Sequence, residues 1–462
     1  MKRSDLVQCV KKREKFSSSL GIFFATLGSA VGLGNIWKFP YLVGSNGGAA
    51  FLFIYVLCVF FLGIPIMISE FYIGRNTRSN VIGAIRILKP KSKWPLIGYL
   101  GLLSCYFVTF FYTAVAGWVY SYVFKALRGD FKYINLKQTG ILFNNTINNP
   151  ITPILWQIVV IIVVSFILIW GVQKGIEKVT KTLMPILFIL IIICCIRALT
   201  LPGSKEGLAF LFKIDFSKVT NKSIIIALGL AFFKLGVGSG TMVTYGSYFT
   251  EDTNIINTSI KVALSDTLVS ILAGMAIFPV VFSFNMEPAA GPGLLFMSIP
   301  LVFSKIPMGS ILLVLFFILT SIAATTAIMS MFQVLIAYYT EEKNISIKRA
   351  VIFNAIIVII IGVLATLSSS PEGIIVHIKI FGKTFFDFFD YISSNILLPL
   401  AGFLIAIFTA YINKKENIQI ELSNEGVLRN NIQISIYYFI IKIFTPILLF
   451  IVLLSSLGVI KF

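Results

Sequence analysis

The stretch from Leu20 to Tyr41, LGIFFATLGSAVGLGNIWKFPY, decides how the chain is read. It is apolar enough to enter a bilayer, yet its middle carries Gly28, Gly32, Gly34 and Asn35, and it closes on Lys38 and Pro40. Each interior glycine costs a helix about 0.8–1 kcal/mol relative to alanine. Hydrocarbon cannot satisfy a freed amide or carbonyl, so a broken helix at that depth is tolerated only against protein or a water-filled cavity. Small residues also serve close packing between helices, and Gly28 with Gly32 alone would fit that purpose. Asn35, Lys38 and Pro40 turn the reading toward a discontinuous helix that lines a site.

Outward from that stretch the composition points the same way. Of 462 residues 57% are hydrophobic and 12% charged, with a mean hydropathy of +0.93; a soluble domain carries about 25% charged residues. Runs of roughly 20 apolar residues recur from end to end, which is the length a membrane span requires. The expected class is therefore an all-α integral membrane protein, and no cleavable signal precedes its first span. A net charge of +19 does not call for nucleic acid. Lys2, Arg3, Lys11, Lys12, Arg13 and Lys15 precede the first span, and Arg75, Arg78, Arg86, Lys89, Lys91 and Lys93 follow the second. That distribution places the N-terminus and the 75–93 loop in the cytoplasm. Cys58, Cys105, Cys194 and Cys195 sit in apolar runs and Cys9 in the basic tail, so no disulfide framework is implied.

Eleven spans are expected, near 20–44, 48–74, 94–126, 153–171, 179–198, 224–248, 260–284, 308–340, 349–367, 384–412 and 433–458. The sixth shares the oddity of the first, being interrupted by Gly236, Gly238 and Gly240. Paired interrupted helices at matching positions in two halves point to a transporter site built on an inverted repeat. Residues 20–198 and 224–412 then form five-plus-five halves of a core, with 1–19 before it and 413–462, a cytoplasmic connector and helix 11, after it. Loops 127–152 and 199–223 would cap the outer face, and 413–432 reads as a solvated connector.

The run Gly28 to Tyr41, followed by Asn46-Gly47-Gly48, closely resembles the first helix of the neurotransmitter:sodium symporter family. The likeness extends to Ile64-Pro65, Glu70 to Arg75, Tyr112 six residues before Trp118, Thr200 to Gly203, Phe233 to Gly240, and Asp387 to Tyr391. It implies a bacterial secondary transporter, a monomer or weak dimer in the inner membrane, that moves an amino acid by alternating access.

An amino acid carries a carboxylate, suited to the amides of a half-helix N-terminus, and an ammonium, suited to the carbonyls of a half-helix C-terminus. The resemblance assigns the carboxylate to Leu33, Gly34 and Tyr112, and the ammonium to carbonyls of Ser29, Ala30 and Phe233. It assigns the side-chain pocket to Val108, Phe233, Gly236, Ser239, Ala327 and Met331. The small residues among them suggest room for a large apolar or aromatic side chain.

At the sodium sites the sequence departs from the family. Sodium is hard and takes oxygen ligands. The first family site matches Ala30, Asn35, Lys234 and Asp266; an ammonium cannot ligate sodium and would repel it. A lysine at membrane depth costs about 2.5–3.5 kcal/mol on insertion scales and calls for a partner. Lys234 is therefore expected to pair with Asp266 and to stand in for the first sodium ion. The second site keeps carbonyls matching Gly28, Val31 and Ala323 and the Thr326 hydroxyl, while Ala327 removes one oxygen that Thr325 or water would have to supply. Three couplings stay open: sodium at the second site, protons through Lys234, or neither, as in an exchanger. No chloride is expected, because Tyr55 and Ser270 match the family's anion site but Leu230 stands where a glutamine is needed.

The resemblance further assigns Lys38 and Asp390 to an outer gate, and Arg13, Tyr248, Gln333 and Glu341 to an inner one, with Phe16 as its apolar plug. A substrate-gated receptor or channel on the same fold is the alternative function. An enzyme is disfavoured, since the single histidine, His377, has no His/Cys cluster around it.

Overall fold

The computed structural model describes residues 13–284, 294–305, 307–370 and 372–459. Lys2, Arg3, Cys9, Lys11 and Lys12, and with them most of the expected 1–19 segment, lie outside the described residues.

The first span is broken. α1 (Ser19–Ala30) starts where the Ser18 hydroxyl accepts the Gly21 amide at 3.1 Å, the usual service of an N-cap serine. It ends at Val31, whose φ of −74° and ψ of 116° are extended. The chain re-enters as α2 (Gly34–Ser45), bent 53° from α1. Its first turns, Gly34–Lys38, are wide π turns, and Pro40 follows them at the start of the regular α-helical part.

The chain continues through α3 (Ala49–Thr77), the short α4 (Val81–Leu88), α5 (Leu96–Arg128), α6 (Leu136–Asn148), α7 (Thr152–Ile169), α8 (Val172–Leu199) and α9 (Ser204–Phe212). The second half opens on another interruption. α10 (Asn221–Lys234), capped by a reciprocal Thr220–Ser223 box, stops at Lys234, and α11 (Thr241–Gly246) resumes after a six-residue gap. Within the gap Gly236, Gly238 and Gly240 have φ of 63°, 82° and 77°, a region open to glycine at little cost. There follow α12 (Ile255–Ser283), α13 (Leu295–Ser304), α14 (Gly309–Glu342), α15 (Ile347–Ser368), α16 (Phe385–Ile412), α17 (Lys415–Leu422) and α18 (Asn431–Ser456).

Among the described residues nine helices are long and apolar enough to cross a membrane, and the bent pair α1 and α2 makes ten. The remaining expected span, the sixth, falls on α10 and α11, of 14 and 6 residues, too short to cross singly. Helix length alone thus yields ten rather than eleven.

The long helices α5 and α14 pack on each other and on α7 and α15, forming a scaffold. Against it lie the broken elements: α1 packs on α8, α12 and α14, and both α10 and α11 pack on α3. The loops expected to cap the bundle are themselves partly helical, holding α6 and α9. Phe143 of α6 stacks on Phe296 at 5.1 Å, and Phe210 of α9 meets Phe278 at 5.0 Å.

The 413–432 connector is not solvated along its length. α17 buries Ile418, Glu421 and Leu422, and the Glu421 carboxylate meets Arg75 Nε of α3 at 2.5 Å. A cation in the interior must be paired, so Arg75 draws this polar stretch onto the bundle. Composition gives no sign of that because the partner lies 346 residues away.

Candidate functional site

The interrupted helices meet around one buried ammonium. Lys234, the last residue of α10, and Asp266 of α12 both have fully inaccessible side chains, with Nζ and Oδ2 3.1 Å apart. Nζ also donates to the Tyr55 hydroxyl of α3 at 2.8 Å and to the Ser270 hydroxyl, one turn along α12 from Asp266. The rings of Phe39 and Tyr55 lie 5.0 and 4.8 Å from it, which adds cation–π attraction. Asn35 joins through the acid rather than the amine. Its Nδ2 donates to Asp266 Oδ1 at 2.6 Å and to Ser270 Oγ at 3.1 Å, while its Oδ1 accepts the Gly32 amide at 3.0 Å. The broken turn of the first span is thereby pinned to α12.

Tyr55 and Ser270, matched from the sequence to an anion site, are here partners of the lysine. The lysine stem is long enough to bring its charge to these two hydroxyls as well as to Asp266, which reading single positions does not reveal. An ammonium and a sodium ion cannot share these oxygens, so the residues present do not fit a metal there. Asp266 and Lys234 together are neutral.

The second sodium position differs in kind. Gly28 of α1 lies against Thr326 of α14, since a Cβ added to Gly28 would stand 3.4 Å from Thr326 Cβ. Thr326 Oγ1 lies 3.1 and 3.2 Å from the carbonyls of Ile322 and Ala323, and Val31 leaves the helix three residues after Gly28. Neutral oxygens of hydroxyl and carbonyl type suit a hard cation, and this set fits sodium. Thr325 cannot supply the oxygen missing at Ala327, because its hydroxyl is turned to Tyr120 of α5 at 2.6 Å.

Around the break the expected substrate residues lie on neighbouring elements. The Leu33 amide donates to the Tyr112 hydroxyl at 2.6 Å. A Cβ on Gly32 would stand 2.5 Å from that hydroxyl and 3.1 Å from Ala327 Cβ, so this approach needs glycine. Gly34 faces Phe233, whose ring is 3.7 Å from the same construction. At Gly236 a Cβ would meet only Met242 and the Ser29 carbonyl, each at 3.9 Å, leaving space beside the carbonyl end of α1. Val108 is one turn before Tyr112 on α5, and Met331 one turn after Ala327 on α14, spacings that share a face. Ala30 is buried at the end of α1. Ser239 turns its hydroxyl onto the Gly236 carbonyl at 2.6 Å and onto Thr241.

Both expected gates are in contact in one structure. At one end Lys38 Nζ is 3.6 Å from Asp390 Oδ1 and 4.1 Å above the Phe233 ring. At the other Arg13 pairs with Glu341 and lies 4.7 Å over the Tyr248 ring, whose hydroxyl accepts from Gln333 at 2.7 Å. Phe16 is buried against Tyr245 and Tyr248, at 6.0 and 5.8 Å. The sequence reading missed two acids here. Glu177 of α8 accepts the Ser17 amide at 2.8 Å, and Glu14 accepts the Val172 amide at 2.6 Å, so the segment before α1 is strapped to α8 as well as to α14. It also gave no role to Glu70 of α3, which accepts the Gly238 amide inside the α10–α11 gap. An acid in the apolar run 64–73 was the available signal.

A family model described as the sodium:neurotransmitter symporter family matches residues 13–139 and 132–462. The uncharacterized sodium-dependent transporter YhdH of Bacillus subtilis (strain 168) is 36% identical over 452 residues, 98% of this chain and 99% of its own. A second uncharacterized sodium-dependent transporter, from Haemophilus influenzae, is 35% identical over 458 residues, covering 97% and 99%. Among solved structures, that of MhsT in complex with L-phenylalanine matches with a TM-score of 0.90 at 37% identity, covering 96% of this chain and 100% of that one. The chain thus belongs to the sodium:neurotransmitter symporter family, a family of multi-pass membrane transporters and not of enzymes.

Proposed function

We propose that the chain carries an amino acid with a large apolar or aromatic side chain across a bacterial inner membrane by alternating access. In this reading the Lys234 ammonium does the work of one sodium ion, and sodium binds at most at the second position. The observation that carries it is the inaccessible Lys234–Asp266 pair, bound through Asn35 to the broken turn of α1 and α2.

The substrate carboxylate would take the amides at Leu33 and Gly34 and the Tyr112 hydroxyl; its ammonium would take carbonyls at the end of α1 and at Phe233. Its side chain would run toward Gly236, Val108, Ser239, Ala327 and Met331. The open space at Gly236 and the phenylalanine bound to MhsT support a large side chain. The names of the bacterial relatives support sodium coupling, for which Gly28, Val31, Ala323 and Thr326 would hold the ion. Lys38 with Asp390, and Arg13, Tyr248, Gln333 and Glu341, would open in turn. The basic residues flanking the first two spans support a cytoplasmic N-terminus.

Uptake of labelled phenylalanine, leucine and glycine into proteoliposomes tests this, with sodium replaced by choline and pH varied. Saturable uptake of the two larger amino acids is expected, with a sodium Hill coefficient of about 1. Lys234→Thr, which restores an oxygen and removes the charge, should raise that coefficient toward about 2 or abolish transport. A wild-type coefficient near two, or a variant with unchanged uptake and ion response, would overturn the lysine's role. Uptake driven by pH without sodium would assign the coupling to protons.

A further inference from the structure

Where α7 meets α8 the surface carries a notch of about 480 Å³, lined by Phe166, Ile167, Trp170, Lys174, Lys178 and Val179. Its shape follows from the backbone. α7 presents Leu155, Val159, Ile162, Phe166 and Trp170 on an exposed stripe, the side a spanning helix offers to acyl chains. The chain then turns at Gly171, with φ 78°, and re-enters in wide π turns over Val172–Glu177. Gly175 closes the corner so tightly that a Cβ there would stand 2.3 Å from the Ile167 carbonyl. The apolar wall therefore ends on a step, and on that step stand two exposed lysines four residues apart, Lys174 and Lys178.

These lysines differ from their neighbour. Lys181 is taken by Glu177 at 2.7 Å, whereas among the described residues neither Lys174 nor Lys178 forms a salt bridge. An exposed tryptophan at the end of a span is an interfacial anchor, which puts the two ammoniums at headgroup depth. Paired free cations below an acyl-sized wall complement one occupant, a lipid with a negative headgroup, and basic pockets of this kind bind such lipids.

We infer that this notch is a binding site for an anionic phospholipid, its phosphate between Lys174 and Lys178 and an acyl chain along Phe166 and Trp170. The site adjoins the strap before α1. The Val172 amide is held by Glu14, and Gln173 donates to the Lys15 carbonyl at 2.6 Å. A lipid seated here steadies the turn that holds the strap.

The test measures retention of phosphatidylglycerol by the full chain, by mass spectrometry after purification in neutral detergent. It stands apart from any transport assay. Lys174→Gln with Lys178→Gln should weaken retention about thirtyfold, as expected when two lysines are each worth about 1 kcal/mol. Lys174→Arg with Lys178→Arg should retain the lipid, and Trp170→Ala should weaken its hold. Lys348→Gln with Arg349→Gln, which removes the same charge from another exposed pair, should leave retention unchanged. Equal loss from both charge pairs would overturn the site as mere surface attraction. Displacement of the lipid by millimolar inorganic phosphate would overturn it in favour of a free anion.

Discussion

The break in the first span is bridged to its neighbours twice, by opposite chemistry. At Asn35 the bridge runs through a sealed ion pair with no accessible surface. At Gly28, seven residues earlier, the neighbours are uncharged: Thr326 of α14, whose hydroxyl stands by the Ile322 and Ala323 carbonyls, and Thr180 and Met184 of α8. The first carries its own cation covalently; any cation at the second would have to come from solution. A fixed cation holds its place whatever the salt outside, while a borrowed one couples the fold to ion concentration.

The largest effect expected from this contrast is on stability. Lys234→Met or Asp266→Asn leaves an uncompensated polar group or charge at membrane depth and should cost about 3–5 kcal/mol, read as thermal unfolding in detergent. The double variant should lose less than either single one. Additive losses would mean that the two residues are not a unit, and the contrast would collapse.

Next in size is the space between the two bridges. Ala327 faces Gly32 from α14, and Ala327→Leu should penalise phenylalanine relative to glycine by about 1–3 kcal/mol in kcat/KM. Equal loss for both would remove the pocket from this side. Gly236 makes a poorer test, because any side chain at its φ of 63° strains the loop.

Thr326→Val probes the neutral bridge alone. It deletes one oxygen and should cost the apo fold about 1 kcal/mol while raising the sodium needed for half-maximal uptake about tenfold, or 1.4 kcal/mol. An unchanged sodium response would show that nothing is borrowed there. Smallest of all should be Lys38→Ala. Its partner Asp390 is partly solvated, and exposed pairs contribute about 0–1 kcal/mol, so the unfolding temperature should hardly move.

The interruptions were legible because their cause is local: Gly28, Gly32 and Gly34, like Gly236, Gly238 and Gly240, announce themselves inside apolar runs. Lys234 with Asp266 was legible for a related reason, since two opposite charges in hydrocarbon have few other choices. The direction of a side chain was not. Whether Thr325 faces α1 or α5, and how far the Lys234 stem reaches, depend on packing between helices distant in sequence. Glu421 was hidden by its surroundings, for a polar stretch rich in asparagine and glutamate has the composition of a solvated loop. Helix length alone does not recover the expected span at α10 and α11, where the same glycines that mark the break divide the stretch into pieces.

The docking of α17 bears on where this chain ends as a folding unit. Glu421 closes on Arg75 through both its carboxylate and its backbone carbonyl, so α17 completes the second span. A protein cut at 412 would keep both repeats on paper and still take from the buried Arg75 guanidinium the carboxylate that balances its charge. The connector helix α17, solvated though its composition looks, is thus a keystone that the core already presupposes.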